Sequence, residues 1–218
     1  MHLLIDTSSK NGSMGLFLKS ELLCSRSWTT SQNHTSELLP TLDSMITEAK
    51  IKLSDISAIG VTKGPGGFSA VRAGIVSVQG LAFGLAKPVV AVNALEVIGL
   101  SASGLSDSVC ALVDAGKNQV IYSTLFKGEI VKKSELGMLD EIITNAPEGT
   151  IFVSASTISD SAILAASGFE SLITNYEARL TEMGKLVEKK FALGEVSESG
   201  DLIPEYARDP HIGRIGKK

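Results

Sequence analysis

Three histidines, two cysteines and a few aspartates set beside serines are the residues of this 218-residue chain that could do chemistry. Two imidazoles four positions apart on a helix would point at one metal ion. Here His34 is followed at position 38 by leucine, and His2 and His211 are remote, so no ligand set is expected and His34 reads as a surface or capping residue. A serine nucleophile would want the strand, Gly-x-Ser-x-Gly, helix form, which neither serine-rich turn has, and hydrolysis is disfavoured. Asp114 and Lys117 share a turn as a catalytic pair could, although structural pairing or solvent exposure is the commoner role of such neighbours. Asp6, Thr7, Ser8 and Ser13 gather a carboxylate and hydroxyls behind an apolar strand, in a turn that can satisfy itself by local side-chain bonds. Cys24 and Cys110 lie in the apolar runs ELLC and SVCALV. They are too few for a disulfide framework and fit buried free thiols of a reducing compartment.

The elements that would position these groups follow from periodicity. Leu3 to Ile5 make a buried strand ending at Asp6, Thr7 to Ser13 a polar turn, and Met14 to Lys19 with Glu21 to Trp28 a hairpin. Thr35 or Ser36 can cap a helix to about Lys50, with Pro40 in its first turn and Leu38, Leu42, Met45 and Ala49 as its apolar seam. Ala58 to Thr62 is a strand. The turn Gly64-Pro65-Gly66-Gly67 then calls for positive φ or a close backbone approach. From Ala73 to Ala86 there is no charge. Val71, Ile75, Val78, Ala82 and Leu85 form one stripe of that helix, and Ala73, Ser77, Gly80 and Gly84 a small-residue stripe that lets another helix approach closely. A wholly internal core helix is the plainer alternative. Val89 to Val92 is a strand and Ala94 to Leu100 a helix. The run ALVDAGKNQVIYSTLFKGEIV then repeats the opening pattern, with thirteen positions from Asp6 to Lys19 and from Asp114 to Lys127. This predicts an internal duplication, with subdomains 1–105 and 106–218 meeting near the small polar stretch SASGLSDS. In the second half a strand is expected at Ile151 to Ser154 and helices near 157–166 and 177–192, with Leu180, Met183, Val187 and Phe191 as core.

Composition bounds the function. Hydrophobic residues make up 44% and charged residues 20%, the profile of a soluble globular protein. A net charge of −4 lacks the basic footprint of an autonomous nucleic-acid binder. His2 and Asp6 interrupt the amino-terminal apolar run, and no uncharged stretch approaches the roughly 18 residues of a membrane span. A cytoplasmic protein is expected. Arg214, Lys217 and Lys218 make a small basic tail, usually a solvated end.

A duplicated strand-strand-strand-helix unit opening with a strand-Asp-Thr-Ser turn resembles the actin-like ATPase superfamily. More closely, IDTSSKNGS, HTSELLP, VTKGPGGFSAVRAG, KPVVAVNALE, VDAGKNQVIY and PEYAR resemble the TsaB (YeaZ) family over nearly the whole chain. The usual GPGSFTGLRIG stands here as GPGGFSAVRAG, and the usual Tyr-Leu-Arg of the tail as Tyr206-Ala207-Arg208, replacements that keep small size or apolarity. The resemblance implies a duplicated actin-like (RNase H-like) α/β fold, with mixed sheets flanked by helices. It also implies a non-catalytic scaffold subunit in bacterial synthesis of threonylcarbamoyladenosine in tRNA. Such a subunit would need no cofactor of its own. It would pair with a TsaD-like catalytic subunit and a TsaE-like ATPase, meet tRNA through the complex, and form a homodimer when isolated. Leu38, Leu42, Met45, Ala73, Ser77, Gly80 and Gly84 would make the partner contact, and Asp6, Thr7, Ser8 and Ser13 would be a vestigial phosphate hairpin. The alternatives are a glycoprotease-like peptidase, against which the missing histidine pair argues, and an ATP-dependent sugar-kinase-like enzyme, against which the lack of a second glycine motif argues.

Overall fold

Alternating apolar residues at the amino terminus build three antiparallel strands, β1 (His2–Asp6), β2 (Asn11–Leu18) and β3 (Glu21–Thr29). They are followed by α1 (His34–Ala49), β4 (Ala58–Thr62), α2 (Phe68–Leu85), β5 (Val89–Val92) and α3 (Ala94–Leu100). β1, β4 and β5 run parallel, and the sheet order is β3-β2-β1-β4-β5. The second half comprises β6 (Ser108–Gly116), β7 (Gln119–Phe126), β8 (Glu129–Met138), α4 (Leu139–Thr144), β9 (Ile151–Ser154), α5 (Ser161–Ala166), β10 (Ser171–Ile173) and α6 (Tyr176–Ala192). Its sheet order, β8-β7-β6-β9-β10, is the first order repeated. The computed structural model describes residues 1–29, 34–159, 161–197 and 200–206.

The repeat extends to turn geometry. Lys19 and Ser20 have φ of 51° and 65°, and Lys127 and Gly128 have 50° and 77°, two left-handed residues at each hairpin tip, as tight antiparallel connections require. The equal Asp-to-Lys spacing, however, does not make the two aspartates equivalent. Asp6 pairs with Ser13 across its hairpin, whereas the residue opposite the matching position Ile121 is Val113, and Asp114 faces Val120. A one-residue offset sends a side chain to the other face of a sheet, so the two carboxylates point in opposite senses.

Each half lends a helix to the other. Leu180, Met183 and Val187 of α6 pack with Leu4, Phe17 and Val90 of the first sheet, and Leu95 and Ile98 of α3 pack with Val109, Ala111 and Leu125 of the second. A boundary at 105 therefore divides the sheets along the chain but not the cores. On its other face the first sheet is covered by α1 and α2. Leu38, Leu42 and Met45 are at most 4% exposed there, among Leu3, Ile5 and Met14. They were expected at a partner contact and instead belong to the chain's own core. α1 also starts at His34, which puts Thr35 and Ser36 inside its first turn and Pro40 in its second.

Val71, Ile75 and Val78 hold α2 to the sheet, each stabilising by about 1.5–3 kcal/mol through burial. Ala86, with φ of 50°, closes that helix before Pro88 is reached. Among the described residues α2 alone is long and apolar enough to cross a membrane, because the single charge of Arg72 does not break the run. Its ends join β4 and β5, adjacent and parallel in one sheet, so it runs back along that sheet.

Candidate functional site

The polar turn after β1 is closed on itself. Asp6 is 2% exposed, and its Oδ1 accepts hydrogen bonds from the Ser8 N–H at 2.9 Å, the Ser8 hydroxyl at 2.7 Å and the Thr62 hydroxyl at 2.8 Å. Its Oδ2 lies 3.7 Å from Nε of Arg179 on α6, a guanidinium also 2% exposed, which donates to the Thr174 carbonyl at 2.5 Å. Thr7 donates to the carbonyl of Ala70 in the first turn of α2 at 2.8 Å. Ser13 is wholly buried under α6, and among the described residues its Oγ has no hydrogen-bond partner. The side chains that a phosphate grip would use are turned inward, and a cation supplied by the second half neutralises the carboxylate. The signal for Arg179 was an arginine at the buried face of the 177–192 stripe, which apolar periodicity alone passes over.

Between the two sheets lies a cleft of about 570 Å³, bordered by Ser8, Lys10, His34, Ser69, Asp114 and Ser159. Asp114 accepts from the Gly116 N–H at 2.8 Å and from the N–H of Ser159 at 2.9 Å, and the Ser159 hydroxyl is bonded to it as well. Burial would raise its carboxyl, but the bonds from Ser159 and Gly116 outweigh this and bring it below the ordinary value. The partner of Asp114 is thus Ser159 and not Lys117. His34, expected as a surface or capping residue, is 4% exposed, and its Nδ1 accepts from the Trp28 indole N–H at 3.1 Å. Burial pushes its pKa down. Among the described residues no three of His, Cys, Asp and Glu gather as a metal set would.

The glycine turn brings the cleft, α2 and the tail together. Gly64 has φ of 106°, and a Cβ there would stand 2.5 Å from the Glu205 carbonyl oxygen. A Cβ on Gly66 would collide with the Ser8 backbone, and the Gly67 N–H donates to the Ser8 carbonyl at 3.2 Å. Glu205 donates its N–H to the Lys63 carbonyl at 2.7 Å, and the Tyr206 ring packs on Phe68 with centroids 4.9 Å apart. His211, Arg214, Lys217 and Lys218, with Ala207 and Arg208 of the PEYAR motif, fall outside the described residues.

The outward face of α2 is the other unusual surface. Gly80 and Gly84 are exposed, and a Cβ at either would meet nothing within 4 Å, while Ala73 and Ser77 are half-buried. Two large apolar side chains flank the glycines: Phe83, 83% exposed, and Val76, 65% exposed. The small-residue pattern located the glycines but missed these two, because their positions fall between the stripes counted. An aromatic knob beside two side-chain-free positions is a surface suited to close contact with a facing helix.

Two mixed sheets with exchanged helices and a cleft between them define the actin-like α/β class. A hexokinase of the ROK family from Thermus thermophilus shares this fold at a TM-score of 0.50 and 12% identity, covering 87% of this chain and 99% of its own. A family model described as tRNA N6-adenosine threonylcarbamoyltransferase matches residues 28–146, more than half of the chain. The chain belongs to this family. Over its length it is similar to the tRNA threonylcarbamoyladenosine biosynthesis protein TsaB of Bacillus subtilis strain 168, 24% identical over 94% of this chain and 93% of that one. It is also similar to the crystal structure of YeaZ from Pseudomonas aeruginosa, with a TM-score of 0.77 and 25% identity, covering 94% of this chain and 98% of that chain.

Proposed function

We propose that this chain is a TsaB-type scaffold subunit in the synthesis of threonylcarbamoyladenosine in tRNA, and that it seats a TsaD-like catalytic subunit on the outward face of α2. The observation that carries the partner assignment is the exposed set Val76, Gly80, Phe83 and Gly84, apolar and glycine-lined along one helix. The engaged state of Asp6 supports a supporting role over an enzymatic one, since a carboxylate neutralised by Arg179 is poorly placed to hold a phosphate-bound cation. A TsaE-like ATPase in the same assembly, a homodimer through the same face in the isolated chain, and a cytoplasmic setting belong to this reading. The test is reconstitution. Transfer to tRNA by the purified catalytic subunit and ATPase should need this chain and should fail with Phe83→Asp, while that variant keeps the native melting temperature. Unchanged binding of the catalytic subunit by Phe83→Asp would sink the assignment of this face.

A further inference from the structure

The ion pair between the two halves has a gap in it. Nε of Arg179 and Oδ2 of Asp6 stand 3.7 Å apart, beyond the reach of a direct hydrogen bond. Both side chains are 2% exposed, so bulk solvent does not make good the contact. Among the described residues Nε has no hydrogen-bond partner, although Nη1 of the same guanidinium donates to the Thr174 carbonyl at 2.5 Å. On the carboxylate, the bonds from Ser8 and Thr62 all go to Oδ1 and leave Oδ2 to the guanidinium side.

A third group belongs to the same spot. Ser13 lies directly opposite Asp6 in the β1–β2 ladder, where facing side chains share one side of the sheet with Cβ atoms about 4.5–5.5 Å apart. That side is the one α6 covers, since Leu4 and Phe17, which share it by the alternation of each strand, pack with Leu180 and Met183. The Ser13 hydroxyl is wholly buried and, among the described residues, unpartnered as well. Buried polar atoms without partners are rare in folded chains, and two of them beside one carboxylate oxygen call for a common cause.

The internal repeat supplies a control. With the hairpin tips matched, Ser13 corresponds to Ile121, and Val113 faces Ile121 as Asp6 faces Ser13. Val113 and Ile121 pack in the apolar cluster that holds Leu95 and Ile98 of α3. The fold therefore needs no polar group at this place, and serine leaves free the volume of about two heavy atoms that isoleucine fills, room of the order a water molecule needs.

We propose that Asp6, Ser13 and Arg179 hold one buried water molecule, which completes the contact between β1, β2 and α6. The water accepts from the Arg179 Nε–H and the Ser13 O–H and donates to Asp6 Oδ2, so it makes the roughly three bonds usual for an internal water and satisfies all three groups. An ion is a poorer occupant. The carboxylate and the guanidinium balance each other, and an ion of either sign would meet its like. Arg179 also lines a pocket of about 390 Å³ beside Asn11, Thr29 and Asn175, a polar route for exchange with solvent. This site does not depend on the reading of the α2 face.

The test is a crystal structure of the full chain at a resolution that shows single waters plainly. The expected density is one peak about 2.7–3.2 Å from Nε, Oγ and Oδ2 at once. Direct bonding of Nε to Oδ2 without a peak, or a peak that touches fewer than all three groups, would overturn the proposal. In solution the same water couples Ser13 to Arg179. Ser13→Ala should lower the melting temperature by about 2–4 °C, the effect of one lost bond in a chain of this length, and by less than about half as much in an Arg179→Met background. Equal drops in the two backgrounds would also overturn it, because the serine would then act without the arginine. Should Arg179→Met not fold, the crystal structure of the native chain decides alone.

Discussion

Replacing Gly80 with leucine separates a partner surface from a core helix. A Cβ at Gly80 meets nothing within 4 Å, so the leucine adds helix propensity without a clash. Removing a glycine from an exposed helix interior stabilises by about 1 kcal/mol, which for a chain of this length raises the melting temperature by about 2–4 °C. Gly74, on the same helix, is the internal control. A Cβ there collides with the Thr7 hydroxyl, which already donates to Ala70, so Gly74→Ala must displace the turn behind β1. Overpacking of that kind costs about 1–3 kcal/mol and lowers the melting temperature by several degrees. Toward the catalytic partner the order reverses. Leucine at 80 fills the space beside Phe83, and the same overpacking cost placed at an interface weakens binding roughly five- to hundredfold, at 1.4 kcal/mol per decade. Thermal unfolding of both isolated variants, beside calorimetric titration with the partner, decides the matter. A lower melting temperature for Gly80→Leu, or its undiminished partner affinity, would refute the reasoning.

Three further outcomes follow. Arg179→Met leaves the buried Asp6 carboxylate uncompensated and should cost about 3–5 kcal/mol, measured by denaturant unfolding, with much of the loss recovered in the Asp6→Asn, Arg179→Met double variant; a loss under 1 kcal/mol would show the pair to be inert. Burial lowers the pKa of both His34 and His2 from the ordinary 6.5, so below that value the unfolded chain takes up protons that the folded chain does not. Stability should be full above about pH 6.5 and fall as the pH drops through 6.5 toward the lowered folded values, and His34→Gln should flatten that slope. Burial pushes the Cys110 thiol up to about 12, so at pH 8 iodoacetamide should leave it unmodified until the chain unfolds; rapid native alkylation would contradict its burial on β6 within the second sheet.

Most of the fold was legible because its signals are local. β4, β5, α3 and β9 fall at the residues that apolar runs and glycine or proline punctuation mark out. α4 and β10 were missed because at six and three residues they are too short for a period to register. The errors at the candidate site have one cause, which is that periodicity finds a face without saying what lies on it. The Leu38, Leu42 and Met45 seam is real, but the first sheet is its partner. His34 reads as a surface or capping residue, yet Trp28, six residues earlier at the end of β3, donates to its Nδ1 and closes over it.

The exchange of α3 and α6 bears on why such a chain would act as a scaffold. In a duplicated fold with an open cleft, ligand binding can change how the halves sit, because the groups on the cleft walls need a counter-charge that only the ligand supplies. Here the first half's carboxylate already has its counter-charge, from the helix that the second half lends to it. Removing Arg179 from Asp6 would strand a buried charge on each side, so the ion pair ties β1 to the α6 junction whether or not anything occupies the cleft. A chain whose halves are tied internally gains little conformational response from a nucleotide. It does present α2, anchored through Thr7 to the same turn, as a rigid face, and rigidity lowers the ordering cost that binding must overcome. The outward glycines and Phe83 then stand on a platform held by the closed Asp6 site, so Arg179→Met should weaken partner binding even at temperatures where the variant remains folded, an effect that a purely local role for the ion pair would not produce.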